Sequence, residues 1–284
     1  VTESSKRSAP VSPAATIATL LADATVRLAA TSDSPRLDAE LLLGHVLGVG
    51  RERLVLDRAA RVEDDHQGRF AQLIARRAAS EPVAYILGRQ PFRWLELAVD
   101  CRVLVPRPET ELLVEVGLSL PHGASVLDVG TGSGAVALSL KHERPDLEVA
   151  GTDVSADALC VAIENARTLG LDVSFAVGDL LDAPTTPADA VLANLPYVEQ
   201  GAPLPDDVAR WEPPLALFGG EDGLAVIRRL VVAVADRSRP SLLAIEIGER
   251  QGAAVSALAR GAGFGEVSIA RDLAGRDRVV VGRR

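Results

Sequence analysis

The stretch Ser125-Val-Leu-Asp-Val-Gly-Thr-Gly-Ser-Gly-Ala135 limits the possible folds of this chain more than any other. Val126, Leu127 and Val129 make the short apolar run of a buried parallel strand, and Ala135-Val-Ala-Leu-Ser-Leu140 has helical character. Between them lie Gly130, Thr131, Gly132, Ser133 and Gly134. A strand that turns into a helix over so few residues needs backbone freedom, and a turn without Cβ atoms lets a ligand approach closely. The helix start behind the turn should also offer free N–H groups. The unit predicts an α/β layer with a nucleotide-like ligand at the turn.

The rest of the chain from residue 125 repeats the alternation. Residues 148–153, 173–177, 190–194 and 242–247 read as strands, helices open near Ser155, Gly223 and Gln251, and two strands close the chain. Such alternation predicts a Rossmann-like α/β fold, a doubly wound and mainly parallel sheet with helices on both faces. Ligands of such sheets lie at the carboxyl ends of the strands. Asp128, Asp153, Asp179 and Asn194 all fall at or near strand ends, so one cleft can hold the four. Asp153 stands where ribose hydroxyls are usually bound, about 20–25 residues past the glycines.

Gly130-x-Gly132-x-x-Ala135 satisfies the dinucleotide pattern, so NAD is one candidate. Two features favour S-adenosyl-L-methionine (SAM). Asp128, two residues before the first glycine, can organise the loop and face a cationic amino-acid group. Asn194-Leu-Pro-Tyr197 follows a later strand, and a dehydrogenase has no use for it. An amide or exocyclic amine nitrogen is a poor nucleophile because its lone pair is delocalised. The Asn194 side-chain oxygen and the Leu195 carbonyl could grip both N–H bonds and favour localisation of that lone pair. Pro196 constrains Leu195 towards extended backbone, and Tyr197 would supply a flat wall. Methyl transfer then needs in-line placement, with no early general base.

Upstream, residues 1–13 are rich in Ser, Pro and charge and read as a disordered tail without the apolar core of a secretory signal. Residues 14–88 read as a helical domain. Ser34-Pro35 is a helix start with Ser as cap, Ala39, Leu42, Leu43, Val46 and Leu47 share a face, and Phe70, Leu73 and Ile74 repeat the pattern. Residues 89–105, with Phe92, Trp94, Leu95, Leu97 and Val99, read as a β-hairpin linker, and 106–284 as the ligand-binding domain. In Val105-Pro-Arg-Pro-Glu-Thr-Glu111 a capped helix start explains Pro108, Glu109 and Glu111, and leaves Arg107 as a candidate substrate contact.

A net charge of −9 argues against gripping nucleic acid over the whole surface. Cys101 and Cys160 are far apart and form no CxxC, which suits reduced, mostly buried thiols in a cytoplasmic protein. The four histidines lack metal-ligand spacing, so no metal site is assigned, and no apolar stretch reaches membrane-spanning length.

Taken together, Glu81-Pro-Val-Ala-Tyr85, Val105-Pro-Arg-Pro-Glu-Thr-Glu111, Asp128-Val-Gly-Thr-Gly-Ser-Gly134 and Asn194-Leu-Pro-Tyr197 resemble the release-factor glutamine methyltransferases (HemK/PrmC). Glu212-Pro-Pro-Leu-Ala-Leu217 with Gly219-Gly220, Glu246-Ile-Gly248 and Asp272-Leu-Ala-Gly-Arg-Asp277 extend the likeness over nearly the whole chain beyond the tail. The resemblance implies a SAM-dependent enzyme, yielding S-adenosyl-L-homocysteine, that methylates N5 of the glutamine in the Gly-Gly-Gln loop of class-I peptide chain release factors. It implies that residues 130–134, Asp153, Leu180 and Asn194 contact SAM, that Asn194, Leu195, Pro196 and Tyr197 hold the glutamine, and that the helical domain helps dock the release factor. A cytoplasmic monomer that does not bind nucleic acid directly is expected. The family motif reads Asn-Pro-Pro-Tyr, so Leu195 is a departure. Rival readings are a ribosomal-protein glutamine methyltransferase, an adenine N6-methyltransferase that flips its base out, and a non-catalytic SAM-binding scaffold.

Overall fold

The computed structural model describes residues 15–182, 188–238 and 240–284; the tail assigned to residues 1–13 lies outside them. The chain divides into two compact units between Leu87 and Gly88.

The first unit is helical: α1 (Ile17–Leu28), α2 (Pro35–Leu47), α3 (Arg51–Leu56), α4 (Asp64–Ala78) and α5 (Val83–Leu87). Leu21, Leu28, Leu42, Leu43, Phe70 and Ile74 form its core, so the faces read from the apolar spacing are the buried ones. Pro35 opens α2, but Ser34 makes no side-chain cap. Its hydroxyl and that of Ser32 turn instead to Asp38 in the first turn of α2, which is also paired with the buried Arg77 of α4.

The second unit opens with the antiparallel hairpin β1 (Arg89–Phe92) and β2 (Leu95–Ala98). Trp94 lies outside both strands: it forms the turn with Arg93, whose φ is +50°, and is exposed. Phe92, Leu95 and Leu97 join the core of this unit. A 3₁₀ turn, Pro108–Thr110, leads into α6 (Glu111–Leu118). The alternating part follows as β3 (Ser125–Val129), α7 (Ala135–Glu143), β4 (Glu148–Asp153), α8 (Ala156–Leu169), β5 (Ser174–Val177) and β6 (Ala190–Ala193). Two short helices, α9 (Asp206–Ala209) and α10 (Pro214–Leu217), precede α11 (Ala225–Ala233), β7 (Leu242–Glu246), α12 (Gly252–Gly261), β8 (Glu266–Arg271) and β9 (Asp277–Arg283).

The sheet runs β5-β4-β3-β6-β7-β9-β8. The first five strands are parallel, and β9 pairs antiparallel with both β7 and β8. One apolar layer packs Leu113, Leu138 and Leu140 against one face, and a second packs Ile227, Leu230, Val255 and Phe264 against the other. The central strands β3, β6 and β7 are buried on both faces, which is why they read as apolar runs, interrupted in β3 by Asp128 and closed in β7 by Glu246. The chain steps outward from β3 to β4 and β5, then returns to the opposite side of β3 as β6. That reversal leaves a crevice beyond the carboxyl ends of β3 and β6.

Cys101 and Cys160 are free and exposed, not buried. Cys101 lies in the turn after β2, and Cys160 is on the outer side of α8, whose inner side is formed by Ala158, Leu159, Val161 and Ala162. Among the described residues no helix is long and apolar enough to cross a membrane.

Candidate active site

A cleft of about 390 Å³ opens at this crevice, within the roughly 300–1,000 Å³ usual for small-molecule sites. It is lined by Asp128, Gly130, Thr131, Gly132 and Ser133 after β3, Asp153 after β4, Asp179 and Leu180 after β5, and Asn194, Leu195 and Pro196 after β6. Gly134, Tyr197 and Arg107 are not among its lining residues.

The glycine turn is held from within. Gly130, Gly132 and Gly134 all have positive φ, which any other residue would adopt only with strain. The N–H groups of Gly130 and Thr131 donate to the Thr152 carbonyl at 2.8 and 2.9 Å, Gly132 N–H to Asp153 Oδ2 at 2.9 Å, and Gly134 N–H to the Thr131 carbonyl. Asp128 Oδ2 accepts from Thr131 Oγ1 at 2.6 Å and from the Ala137 N–H in the first turn of α7 at 3.3 Å. Asp128 therefore organises the loop by capping α7. The helix start offers fewer free N–H groups than the bare sequence suggests.

That arrangement bears on the choice between the two candidate ligands. A pyrophosphate would use donors of the turn and the helix start, and the N–H groups of Gly130, Thr131, Gly132, Gly134 and Ala137 are already taken. The carboxylates of Asp128 and Asp153 make no ion pair among the described residues. Burial pushes Asp128 up to about 6, against the hydrogen bonds from Thr131 and Ala137 and helped by the nearby charge of Asp153. Burial likewise raises Asp153, against backbone donors including Ser155 and Gly132. Two acidic groups without an ion pair on one cleft suit a ligand carrying sulfonium and ammonium charge. The residues present fit SAM. Asp153 retains acceptor capacity beyond its backbone donors, and Leu180, held at φ +56° with its carbonyl on Thr152 Oγ1, shapes the far wall. Asp179 is ion-paired with Arg229, a cleft-lining cation of α11 that motif reading missed.

The segment Asn194-Leu-Pro-Tyr197 is positioned by contacts distant in sequence. Asn194 Nδ2 donates to Thr110 Oγ1 at 3.0 Å. Neither Asn194 Oδ1 nor the Leu195 carbonyl accepts a hydrogen bond from a described residue. The Leu195 side chain is buried and packs against Gly130, where an added Cβ would lie 3.1 Å from Leu195 Cδ2.

Beyond Pro196 the backbone is locked on both sides. Val198 N–H donates to the Leu217 carbonyl and Gly219 N–H to the Val198 carbonyl, each at 2.9 Å. A Cβ on Gly219 would meet the Pro196 carbonyl at 2.4 Å, and one on Gly223 the Tyr197 carbonyl at 2.2 Å. Gln251 Nε2 also donates to the Tyr197 carbonyl. The Tyr197 hydroxyl donates to Glu246 Oε1 at 3.4 Å, and burial, then the Glu246 charge, raises its pKa.

Arg107 pairs with Glu212 across 105 residues. Glu212 is buried, and burial raises its pKa against the charge and hydrogen bond of Arg107. The guanidinium thus anchors the segment that carries α10 and the cleft residues Leu215 and Phe218. Thr110, Glu212, Glu246 and the glycines at 219 and 223 all lie inside or beside stretches singled out in the sequence. Spacing alone gave them no role, because each acts through a partner far along the chain.

Comparison with known proteins fits this geometry. Residues 19–88 match the family described as PrmC N-terminal domain, and residues 108–209 the methyltransferase small domain. A release factor glutamine methyltransferase from Moorella thermoacetica is 45% identical over 95% of this chain and 99% of its own length. One from Deinococcus radiodurans is 41% identical over 93% and 97%. A methyltransferase structure from Pyrococcus furiosus, 14% identical, covers 76% of this chain and 98% of its own at a TM-score of 0.52, a likeness of fold. Identity at this level over almost the full length of both relatives assigns the chain: it belongs to the release factor glutamine methyltransferase family.

Proposed function

We propose that this chain methylates N5 of the glutamine in the Gly-Gly-Gln loop of class-I peptide chain release factors, with SAM as methyl donor. The observation that carries the reading is the pair of free acceptors at the cleft, Asn194 Oδ1 and the Leu195 carbonyl, with Asn194 Nδ2 tied back to Thr110. When bound, SAM supplies an electrophilic methyl group on a sulfonium. Asp153 would hold the ribose, Asp128 and the glycine turn would shape the amino-acid end, and Leu180 would border the base. The two acceptors take both N–H bonds of the substrate amide and orient its nitrogen. They also stabilise the positive charge that develops there as the lone pair leaves conjugation. No side chain needs to remove a proton early, because the nitrogen becomes acidic only once alkylated.

Pro196 keeps Leu195 extended so that its carbonyl stays aimed. The Gly219 and Gly223 contacts hold the Pro196 and Tyr197 carbonyls behind it. The helical unit would dock the body of the release factor, and the enzyme would act as a cytoplasmic monomer with no direct grip on nucleic acid.

The test is methyl transfer from radiolabelled SAM to three acceptors in parallel: release factor, ribosomal proteins and adenine-containing nucleic acid. Label on the Gly-Gly-Gln glutamine alone is the expected result. Label confined to a ribosomal protein or to adenine would replace the substrate assignment, and no transfer to any acceptor despite SAM binding would favour a scaffold.

A further inference from the structure

Gln251 stands at the N-cap of α12, a position that short capping side chains usually fill. It makes no side-chain cap there; its amide turns back towards the site. Gln251 N–H donates to the Gly248 carbonyl at 3.0 Å, and Gly248 N–H donates to Gln251 Oε1 at 2.9 Å. These two bonds close a ring that fixes the amide on the turn after β7. The other end of the amide, Nε2, donates to the Tyr197 carbonyl at 3.0 Å, 54 residues away in the chain. The amide has one orientation here, because a backbone N–H only donates and a carbonyl only accepts.

Two glycines make room for this bridge. A Cβ on Gly223 would lie 2.9 Å from Gln251 Nε2, and one on Gly248 would lie 3.2 Å from Gln251 Oε1 and 3.7 Å from Cδ2 of the Tyr197 ring. The turn before α11, the turn after β7 and the segment after β6 therefore close on one side chain. We propose that Gln251 is a positioning residue for methyl transfer: it ties the Tyr197 carbonyl to the turn after β7 and so fixes the downstream end of the segment that meets the substrate amide. The inference rests on the reading of residues 194–197 as the substrate clamp.

The upstream end of the clamp is already held, by the bond from Asn194 to Thr110 and by the restriction that Pro196 places on Leu195. Downstream the proline ring fixes only the φ of Pro196. Its ψ and both torsions of Tyr197 need another constraint, and any change in them swings the Tyr197 carbonyl away from a donor held 3.0 Å from it. The Tyr197 hydroxyl meets Glu246 Oε1 at 3.4 Å, so backbone and ring are pinned at opposite ends. The flat wall and the Leu195 carbonyl are then in place before the substrate arrives, and less of the barrier goes into ordering them.

Three full-length variants test the bridge: Gln251→Glu, Gln251→Met and, as reference, Asn194→Ala. At about pH 8 Gln251→Glu keeps the shape and the oxygen facing Gly248 but sets an acceptor against the Tyr197 carbonyl, whereas Gln251→Met loses both bonds. The readouts are SAM affinity by calorimetry, kcat and KM for release factor methylation, and fluorine NMR of protein labelled with 3-fluorotyrosine. The chain has two tyrosines, so Tyr197 gives one signal and Tyr85, in the helical unit, serves as reference. Both Gln251 variants should lower kcat roughly tenfold or more, the scale of a carbonyl left without its donor, with a smaller change in KM and SAM affinity within about twofold. The Tyr197 signal should shift or broaden while that of Tyr85 stays. Gln251→Glu with the wild-type rate and spectrum would confine Gln251 to the Gly248 turn and overturn the proposal, as would a slow variant whose Tyr197 signal is unmoved or one that no longer binds SAM. In each of these cases an impaired Asn194→Ala leaves the substrate reading standing. If Asn194→Ala is itself fully active, the substrate reading fails, and the role of Gln251 in methyl transfer with it.

Discussion

Replacing Glu246 by Gln should make the stability of this protein less sensitive to alkali, by an amount the structure sets. The Glu246 carboxyl is moved from its ordinary value of 4.5 to about 7, chiefly by burial. The folded chain thus holds this proton more tightly than the unfolded chain does. Its contribution to stability is fully present below pH 4.5 and is lost as pH rises through 7. At about 1.4 kcal/mol per factor of ten in proton affinity, the loss amounts to about 3 kcal/mol. Gln has nearly the same shape and no proton to lose. The measurement is urea unfolding of both proteins at a series of pH values, read as the difference between them. That difference should move in favour of the variant by up to about 3 kcal/mol between about pH 4 and pH 8. Whatever Gln costs through its own hydrogen bonding is constant with pH and drops out, and the buried Asp128 titrates in both proteins and cancels. A difference that stays flat over this range would refute the claim that Glu246 is buried and ionised at the expense of the fold.

Three further outcomes follow from the site. Asp153→Ala should weaken SAM binding by about 1.5–3 kcal/mol through loss of charge-assisted hydrogen bonds; unchanged affinity by calorimetry in a folded variant would remove Asp153 from the cofactor site. Gly223→Ala must hold φ +71° and brings a Cβ within 2.2 Å of the Tyr197 carbonyl. The backbone term alone is about 1–2 kcal/mol, so a lower urea midpoint with impaired methylation is expected, and wild-type stability would show that this turn does not clamp Tyr197. Leu195→Pro restores the family residue at the loss of about one buried methylene, near 0.8 kcal/mol, and should change kcat at most about fivefold, whereas Pro196→Ala should be worse; the reverse order in initial rates would mean that the Leu195 carbonyl is not the part that matters.

The layer fold was legible because its signals are local. The apolar runs of β3, β6 and β7, the glycine turn and the polar residue ending each strand are all contiguous in sequence, and the alternation implies the parallel sheet. Asp128, Asp153, Asp179 and Asn194 do meet on one cleft. What stayed hidden depends on distant pairing. Asn194 is oriented by Thr110, 84 residues earlier, and Arg107 is held by Glu212, 105 residues later. No spacing rule links such pairs. Asp128 could be placed at the turn from sequence, but its use as a cap for α7 needed the Ala137 N–H in view. Cys101 and Cys160 are exposed although free thiols tend to be buried, because that tendency says nothing about a turn position such as Cys101 or about which side of α8 Cys160 occupies.

The central claim is that Asn194 grips the substrate nitrogen in the transition state and contributes little to holding the cofactor or the fold. It is tested most directly by measuring, on the same Asn194→Ala preparation, SAM affinity by calorimetry and the single-turnover rate of methylation of a release factor. Removal of one preorganised hydrogen-bonding group of this kind typically lowers turnover by roughly 10²–10³-fold. The account predicts a loss of that size with SAM affinity within about twofold of wild type. A variant that methylates the release factor at close to the wild-type rate, or one that is slow only because it no longer binds SAM, would contradict it.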